Sequence, residues 1–379
     1  MLTVAQAFMM SMNSLNVFVG GLIGKQLAPN EKLATLPVAV VIVGTAVFSV
    51  PLTLAMRKFG RKNVFLFVGG YSILMALLAA LAISKENFYF YVACMFMMGL
   101  TSASIMQFRF ASMESVTTEY LARAASYVLL GGIAAAFIGP EVALLGRNLF
   151  ATEFTGSYVL LGGLFVLGLL MLMLYENTEM VATEQLSPPR SLWVIARQRV
   201  FWVAILGATI GYAVMAFIMT ATPVSMHVMD GHSLGHTKVV IQSHIVAMFL
   251  PSLITGTLIK RFGIANIMVV GLIAYLICIG IAFMGHNVHN YWGALVLLGI
   301  GWNFLFVGGT SLLPQAYQEN ERFRVQAFNE FFLFSSQAIA SLSAGWIVFA
   351  LGWEWMLALT LPFILVQFVV IGFWKMGKN

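Results

Sequence analysis

Apolar runs of close to 20 residues follow one another along almost the whole chain. A run of about 20 apolar residues is long enough for a helix to cross the hydrocarbon core of a bilayer. Hydrophobic residues make up 60% of the 379 residues, and charged residues only 9%. A water-soluble domain has no means of hiding so much apolar surface. The sequence therefore predicts an all-α polytopic membrane protein.

The pattern predicts twelve membrane-spanning helices. The first of them lacks a basic flank and a cleavage site, so we expect it to be retained and not removed as a signal peptide. We number the predicted spans one to twelve in chain order. They cover residues 3–24, 35–56, 63–84, 88–110, 120–146, 155–175, 199–221, 238–259, 264–285, 290–313, 323–349 and 353–374.

The basic residues predict the orientation of the chain. With the N-terminus inside, the inner connections and the C-terminus hold Arg57, Lys58, Arg61, Lys62, Arg123, Arg190, Arg197, Arg199, Lys260, Arg261, Arg322, Arg324, Lys375 and Lys378. The outer connections hold only Lys25, Lys32, Lys85, Arg147 and Lys238. The positive-inside rule then places both termini in the cytoplasm. The same distribution explains the net charge of +6 without a nucleic-acid partner.

A polar stretch divides the spans six and six. Residues 176–198, which contain Pro188 and Pro189, are predicted to be a cytoplasmic linker between a first bundle, 1–175, and a second, 199–379. An internal repeat supports this division. Lys58-Phe59-Gly60-x-x-Asn63 follows the second span and Arg261-Phe262-Gly263-x-x-Asn266 follows the eighth, 203 residues later. Two such halves are typical of transporters built from a duplicated six-helix bundle.

The loop after the second span resembles the first motif of the major facilitator superfamily. Gly60, Arg61 and Lys62 match it, whereas Thr53 and Arg57 stand where the family has Gly and Asp. Gly131-Gly132 and Gly139-Pro140 in the fifth span are similar to a second motif of that superfamily. The resemblance implies twelve helices in two bundles and secondary transport by alternating access. No nucleotide-binding motif, zinc pattern or nucleophile–base set is found, so we expect neither an ATP-driven pump nor an enzyme, and no cofactor.

Two pairs of side chains predict a metal site. Met215 and Met219 in the seventh span, and His244 and Met248 in the eighth, are each spaced i, i+4 and so share a helix face. Both pairs are expected at a depth of about 10 Å, where a histidine faces protein or a water-filled path. Three thioethers and one imidazole suit a soft ion such as Cu(I). The alternative is that the methionines fill gaps in the core and the histidine bonds a serine or a carbonyl.

The same four residues resemble the motif pair of CcoA-type copper importers, a branch of the superfamily. That resemblance implies copper as the transported substrate, crossing the bacterial inner membrane to supply cytochrome oxidase. We also expect the protein to be a monomer. Phe108-Arg109-Phe110 and Gly301-Trp302-Asn303 belong to a wider pattern shared with relatives that resemble riboflavin importers. A small organic solute, riboflavin-like or a drug, is therefore the alternative substrate, with Trp302, Phe304 and Phe217 stacking on it. A copper sensor or assembly protein is a further alternative.

Additional residues complete the predicted path. The repeat offset maps Met215 onto Met12, which is predicted to face the same cavity while Met10 points elsewhere. Met226, His227 and Met229 in the outer loop are predicted to capture the ion. Polar side chains inside the spans are costly against lipid. We expect those that line the cavity to be Asn13, Asn16, Gln107, Arg109, Gln242, Trp302, Asn303 and Glu330.

Overall fold

The computed structural model of the protein describes residues 1–115, 121–176, 190–318 and 321–376. Its α-helices are α1 Leu2–Leu15, α2 Gly21–Leu27, α3 Leu36–Phe59, α4 Arg61–Ser84, α5 Phe88–Met106, α6 Phe108–Glu114, α7 Leu121–Gly146, α8 Thr155–Met173, α9 Leu192–Ala196, α10 Arg199–Pro223, α11 Leu234–Phe249, α12 Ser252–Phe262, α13 Ile264–Phe283, α14 Val288–Leu312, α15 Arg322–Leu351, α16 Trp353–Ala358 and α17 Leu361–Met376. No strand occurs among these described residues, and the all-α prediction is confirmed.

These helices account for the predicted spans. Ten segments of the described chain are long and apolar enough to cross a membrane, and the bent pair α11–α12 makes an eleventh. Helix α7 corresponds to the remaining predicted span, and its residues Leu130–Gly146 form an apolar helix shorter than the other ten segments. The first span comprises α1 and α2, the fourth α5 and α6, the eighth α11 and α12, and the twelfth α16 and α17.

Several of these helices begin at a side chain that caps their first turn. Asn87 accepts a hydrogen bond from the Phe90 amide at the start of α5, and Asn287 accepts one from the Asn290 amide at the start of α14. Ser233 caps α11 in the same way. Such caps satisfy amides that have no partner within the helix. They fix where the chain re-enters the membrane after a short connection.

The buried apolar side chains form two large clusters. One lies mainly in the first half of the chain, where the hydroxyls of Tyr91 and Tyr158 are 2.7 Å apart. The other lies in the second half, where the Tyr275 hydroxyl donates to the Gly211 carbonyl at 2.6 Å. Residues 177–189, the middle of the predicted linker, lie outside the described residues. We refer to the described residues before and after this gap as the N-half and the C-half.

The internal repeat forms the same local structure in both halves. Gly60 and Gly263 have φ angles of +79° and +83°, a region that favours glycine, and each separates two helices. The side chain of Asn63 donates to the Phe59 carbonyl at 3.0 Å, and that of Asn266 donates to the Phe262 carbonyl at 2.8 Å. The sequence repeat therefore specifies one turn, used twice.

The two halves meet tightly at one end of the molecule, the end that carries Lys25, Lys85 and Lys238 and that the charge distribution predicts to be the outer one. Lys238 of α11 forms an ion pair with Glu141 of α7 at 2.7 Å. The Lys25 ammonium lies 5.5 Å from the ring centre of Phe349. Which side of the membrane this end faces stays a prediction, and we call it the predicted outer end.

Two of the spans depart from regular α-helix. Between α1 and α2 the chain forms a π-helical turn, Asn16–Gly20, and α10 continues into a second one, Val224–Met229. The axes of α11 and α12 differ by 44°, with Pro251 at the break. Proline has no amide hydrogen to continue the helical ladder, which explains the bend. Each irregularity rotates the residues beyond it relative to a straight helix.

Candidate functional site

A cavity lies between the two halves. The N-half contributes side chains from α1 and its π turn, α3, α5 and α7, and the C-half contributes side chains from α10, α11 and α15. The cavity holds about 950 Å³ of space between protein atoms, including the part that is open to solvent. None of the described residues that line it carries a charged side chain.

Short polar groups distinguish the N-half wall. Asn13, Asn16, Thr45 and Ser102 line it. The Asn13 amide donates to the Ser102 hydroxyl at 3.5 Å, and the Thr45 hydroxyl donates to its own helix at the Val41 carbonyl. The side-chain oxygen of Asn16 is buried and has no hydrogen-bond partner. This wall can therefore offer hydrogen bonds to a ligand.

The C-half wall is rich in thioether and aromatic side chains and also includes Thr220. Met215, Met219 and Met248 line it, together with Tyr212 and Phe249. Phe334 and Gln337 of α15 complete this side of the cavity. Aromatic faces and polarisable sulfur form favourable contacts with flat apolar surfaces.

The structure brings three of the four predicted metal ligands into one cavity but leaves the fourth outside its lining. Met215, Met219 and Met248 line the cavity, whereas His244 is fully buried and is not among the lining residues. Its Nδ1–H donates to the Leu295 carbonyl of α14 at 2.7 Å. Its Nε2 is buried without a hydrogen-bond partner. Among the described residues, no group of three His, Cys, Asp or Glu side chains could hold a metal ion.

The prediction for α1 requires a correction. Met12, expected in the cavity, is 1% exposed and packs in the apolar cluster of the N-half. Met10, expected to point elsewhere, lines the cavity. Met10, Asn13 and Val17 recur at i, i+3 and i+7 and therefore share one helix face. The fixed sequence offset therefore does not carry the ligand positions of the seventh span over to the first.

The predicted capture residues lie in and beside the second π turn and do not line the cavity. Met226 is fully buried, whereas Met229 is 40% exposed. The Nδ1–H of His227 donates to the His232 carbonyl at 2.6 Å. These contacts tie the outer loop together.

A second set of contacts in the same region centres on His286. Its Nδ1 lies 3.2 Å from an oxygen of Asp230, and its Nε2 lies 2.7 Å from an oxygen of Glu354. Burial lowers the pKa of this imidazole, but the hydrogen bonds to the two carboxylates outweigh that effect and raise the pKa above its usual value. Because both ring nitrogens face carboxylates, the charged form of the ring fits this site. The cluster joins the end of α10 to the start of α16.

Three of the polar residues predicted to line the cavity lie instead near the predicted inner end. Gln107 accepts a hydrogen bond from Arg61 at 3.1 Å, at the break between α5 and α6. Arg109 and Glu330 lie 3.7 Å apart and form an ion pair between the N-half and the C-half. Neither partner lines the cavity.

The other three predicted lining residues lie behind the cavity wall or outside it. Trp302 is 3% exposed and stacks on Phe306, with ring centres 4.9 Å apart. Gln242 lines a separate groove. Asn303 is fully buried and holds the bend of the eighth span, where its amide donates to the Met248 carbonyl at 2.7 Å and to the Ser252 hydroxyl at 2.6 Å.

The sequence prediction missed the aromatic lining of the cavity. The aromatic residues that line it are Tyr212, Phe249 and Phe334, and not Trp302, Phe304 and Phe217. One feature of the sequence could have identified Tyr212 as a lining residue. Tyr212, Met215 and Met219 follow each other at i, i+3 and i+7 and therefore share the helix face that the methionine pair identifies.

Comparison with known proteins was made for sequence and for structure. A family model described as Major Facilitator Superfamily matches residues 1–306 and, in a second alignment, residues 232–378. The riboflavin transporter RfnT of Brucella anthropi is 34% identical over 97% of this chain and 93% of its own length. The uncharacterized MFS-type transporter YddS of Bacillus subtilis is 27% identical over 88% of this chain and 80% of its own length.

Two solved structures share the fold. A bacterial homologue of the human lysosomal transporter Spinster, in an inward-facing and occupied conformation, aligns with a TM-score of 0.72 at 13% identity, over 98% of this chain and 95% of that one. A bacterial homologue of the iron transporter ferroportin, in an outward-facing state, aligns with a TM-score of 0.64 at 14% identity, over 99% and 98% of the two chains. At these identities the likeness concerns the fold alone.

Proposed function

The chain belongs to the major facilitator superfamily, and we propose that this secondary transporter takes up a flat heterocyclic solute of the riboflavin class across the bacterial inner membrane. The extensive similarity to a riboflavin transporter supports the choice of substrate. Copper, the substrate favoured by sequence reasoning, becomes the second candidate. The protein moves its solute and carries out no covalent chemistry.

The observation that carries the proposal is the pairing of two unlike walls in one cavity. The N-half wall offers the amides of Asn13 and Asn16, and the C-half wall offers the rings of Tyr212 and Phe249 together with methionine sulfur. A flat heterocycle has polar edges and apolar faces. Such a solute would place an edge against the amides and a face against the rings.

Transport by alternating access requires the contacts between the halves to break and re-form. The ion pair Glu141–Lys238 closes the predicted outer end, and the contact between Arg109 and Glu330 lies toward the predicted inner end. Opening to the outside would separate the first pair. Partly exposed ion pairs contribute about 0–1 kcal/mol each, small enough for a bound solute to bias the equilibrium.

Uptake of radiolabelled riboflavin by cells that cannot make it tests the proposal. Cells producing the protein should accumulate the label, and Tyr212→Ala and Phe249→Ala should each raise the KM. Phe363→Ala serves as the matched control, because this ring is 59% exposed and lies outside the cavity lining. Accumulation no greater than in cells without the protein would reject riboflavin as a substrate.

Copper is retained as the second candidate because five methionines line one cavity, namely Met10, Met106, Met215, Met219 and Met248. Thioethers are ligands for Cu(I). A cation entering a negative-inside cell gains about 2.3 kcal/mol per charge for each 100 mV of membrane potential, so uptake needs no nucleotide.

Leucine replacement separates the two substrates. Met215→Leu with Met219→Leu nearly conserves volume and apolar character but removes two sulfur atoms. Copper uptake should collapse in this variant, whereas riboflavin uptake should stay within about threefold of the unsubstituted protein, since only a packing contact changes. Met97→Leu, at a position 37% exposed and outside the lining, is the control.

A further inference from the structure

Asn16 combines three properties that no other polar residue of the cavity wall shares among the described residues. It lines the cavity, it is only 3% exposed, and its side-chain oxygen is buried without a hydrogen-bond partner. A buried carbonyl oxygen without a donor is destabilising, because it has lost its bond to water and gained nothing in return. A ligand that brings an N–H or O–H group would supply the missing donor.

The backbone around Asn16 holds this amide in place. Asn16 is the first residue of the π turn Asn16–Gly20, a type of irregularity that often occurs at functional sites. At the other end of the turn, a Cβ on Gly20 would overlap the side-chain oxygen of Asn16 and would lie 3.1 Å from its Cγ. The same Cβ would lie 3.0 Å from a methyl group of Val38 in α3. A side chain at position 20 would therefore force the amide to move.

Three neighbouring side chains on this wall already donate hydrogen bonds within the protein. The Ser14 hydroxyl donates to the Ala135 carbonyl at 2.6 Å, and the Thr45 hydroxyl donates to the Val41 carbonyl at 2.8 Å. The Asn13 amide is directed to Ser102. In the C-half, the position 203 residues beyond Asn16 is Met219, which offers sulfur instead of an amide. Among the described side chains that line the cavity, the Asn16 oxygen is the buried acceptor that has no hydrogen-bond partner.

We infer that Asn16 selects solutes that present an N–H donor at their edge, such as the imide of a flavin ring, and that Gly20 is a positioning residue for this selection. The inference rests on the proposed function, since it specifies how the same cavity recognises its substrate. It assigns the polar edge of the solute to the N-half wall. An N-alkylated ring would leave the Asn16 oxygen unpaired and place a methyl group against it.

The test compares riboflavin with N3-methylriboflavin as competitors for uptake. The unsubstituted protein should bind the methylated ring about tenfold more weakly or worse, because a site built around a hydrogen bond rejects an analogue that lacks the donor. Asn16→Leu should abolish that preference. Asn16→Asp, which keeps an acceptor at the same place, should retain it. Having both variants keeps the test decisive if one of them fails to fold.

Gly20→Ala examines the positioning role. It should raise the KM for riboflavin severalfold and reduce the preference over the methylated ring, with the maximal rate changed less. Gly163→Ala is the matched control, because a Cβ at this helical position would meet nothing within 4 Å. If Asn16→Leu took up riboflavin normally and still preferred it fully over N3-methylriboflavin, the inference would be overturned and the proposed function would stand. Absence of riboflavin uptake by the unsubstituted protein would overturn both.

Discussion

Gly345 of α15 sits where the two halves touch at the predicted outer end, and Gly345→Ala should open that end. A Cβ at position 345 would overlap the Thr35 hydroxyl and would lie 3.1 Å from the Thr35 Cβ. Carbon atoms in contact prefer about 3.5–4.0 Å. Rotating the Thr35 side chain could move its hydroxyl away, but the Thr35 Cβ would remain 3.1 Å from the new methyl group and the position of its methyl carbon 3.2 Å away. The two helices would therefore have to shift apart to restore normal contact distances.

The overlap between the added methyl group and Thr35 sets the size of the shift in the conformational equilibrium. Overpacking by one methyl group in a tight contact costs about 1–3 kcal/mol. This cost falls on the outer-closed state, in which the contact exists. The equilibrium should therefore move toward outer-open forms by about 5- to 150-fold.

Distances between spin labels on Lys85 and His289, exposed positions at the predicted outer end of the N-half and the C-half, measure the opening. The distribution should gain a longer component in Gly345→Ala, and Thr35→Ala should reverse part of the change. Gly163→Ala, at a helical glycine with free space around it, should match the unsubstituted protein. Unchanged distances in Gly345→Ala would refute the idea that this contact limits opening.

Three further predictions concern contacts outside the cavity lining. The contacts of His286 should stabilise the fold fully below its ordinary pKa of about 6.5 and weaken as pH rises through the raised value, so the melting temperature should fall as pH rises above about 6.5, and less in His286→Gln. Asn303→Leu should destabilise the protein by about 1–3 kcal/mol, because the Met248 carbonyl loses its donor, and amide exchange in α12 should accelerate. Hydrogen bonds from Arg190 lower the pKa of Glu321 to about 2, so Glu321→Gln should weaken this contact at any physiological pH and expose the chain near residue 190 to proteolysis, whereas Glu86→Gln should not.

Features encoded locally could be predicted from the sequence. The spans follow from runs of apolar residues, and the two equivalent turns follow from a motif that recurs after 203 residues. The positions of Met215, Met219 and Met248 in one cavity also agree with their spacing. Each of these results needs only neighbouring residues or a regular helix.

Features that depend on irregular backbone or on packing between helices could not be predicted from the sequence. The repeat offset of 203 residues placed Met12 rather than Met10 in the cavity, because a recurring sequence motif does not fix which face of a distant helix turns toward the cavity. The role of Asn303 depends on the bend at Pro251, a tertiary contact between α11, α12 and α14. Polarity in a span signals that a side chain avoids lipid, but it does not say which neighbour receives it.

His244 bears on the choice between the two candidate substrates, because its position differs from that of the three methionines. Methionines at i, i+4 line a cavity whether they bind a metal ion or pack against a ring, so spacing alone does not separate these uses. The imidazole is the discriminating ligand. Its Nδ1–H is committed to the Leu295 carbonyl, which leaves Nε2 as the nitrogen that could bind a metal ion, but His244 is not among the residues that line the cavity. A flat solute needs no contact with His244, since Tyr212, Phe249 and the three methionines already line the cavity.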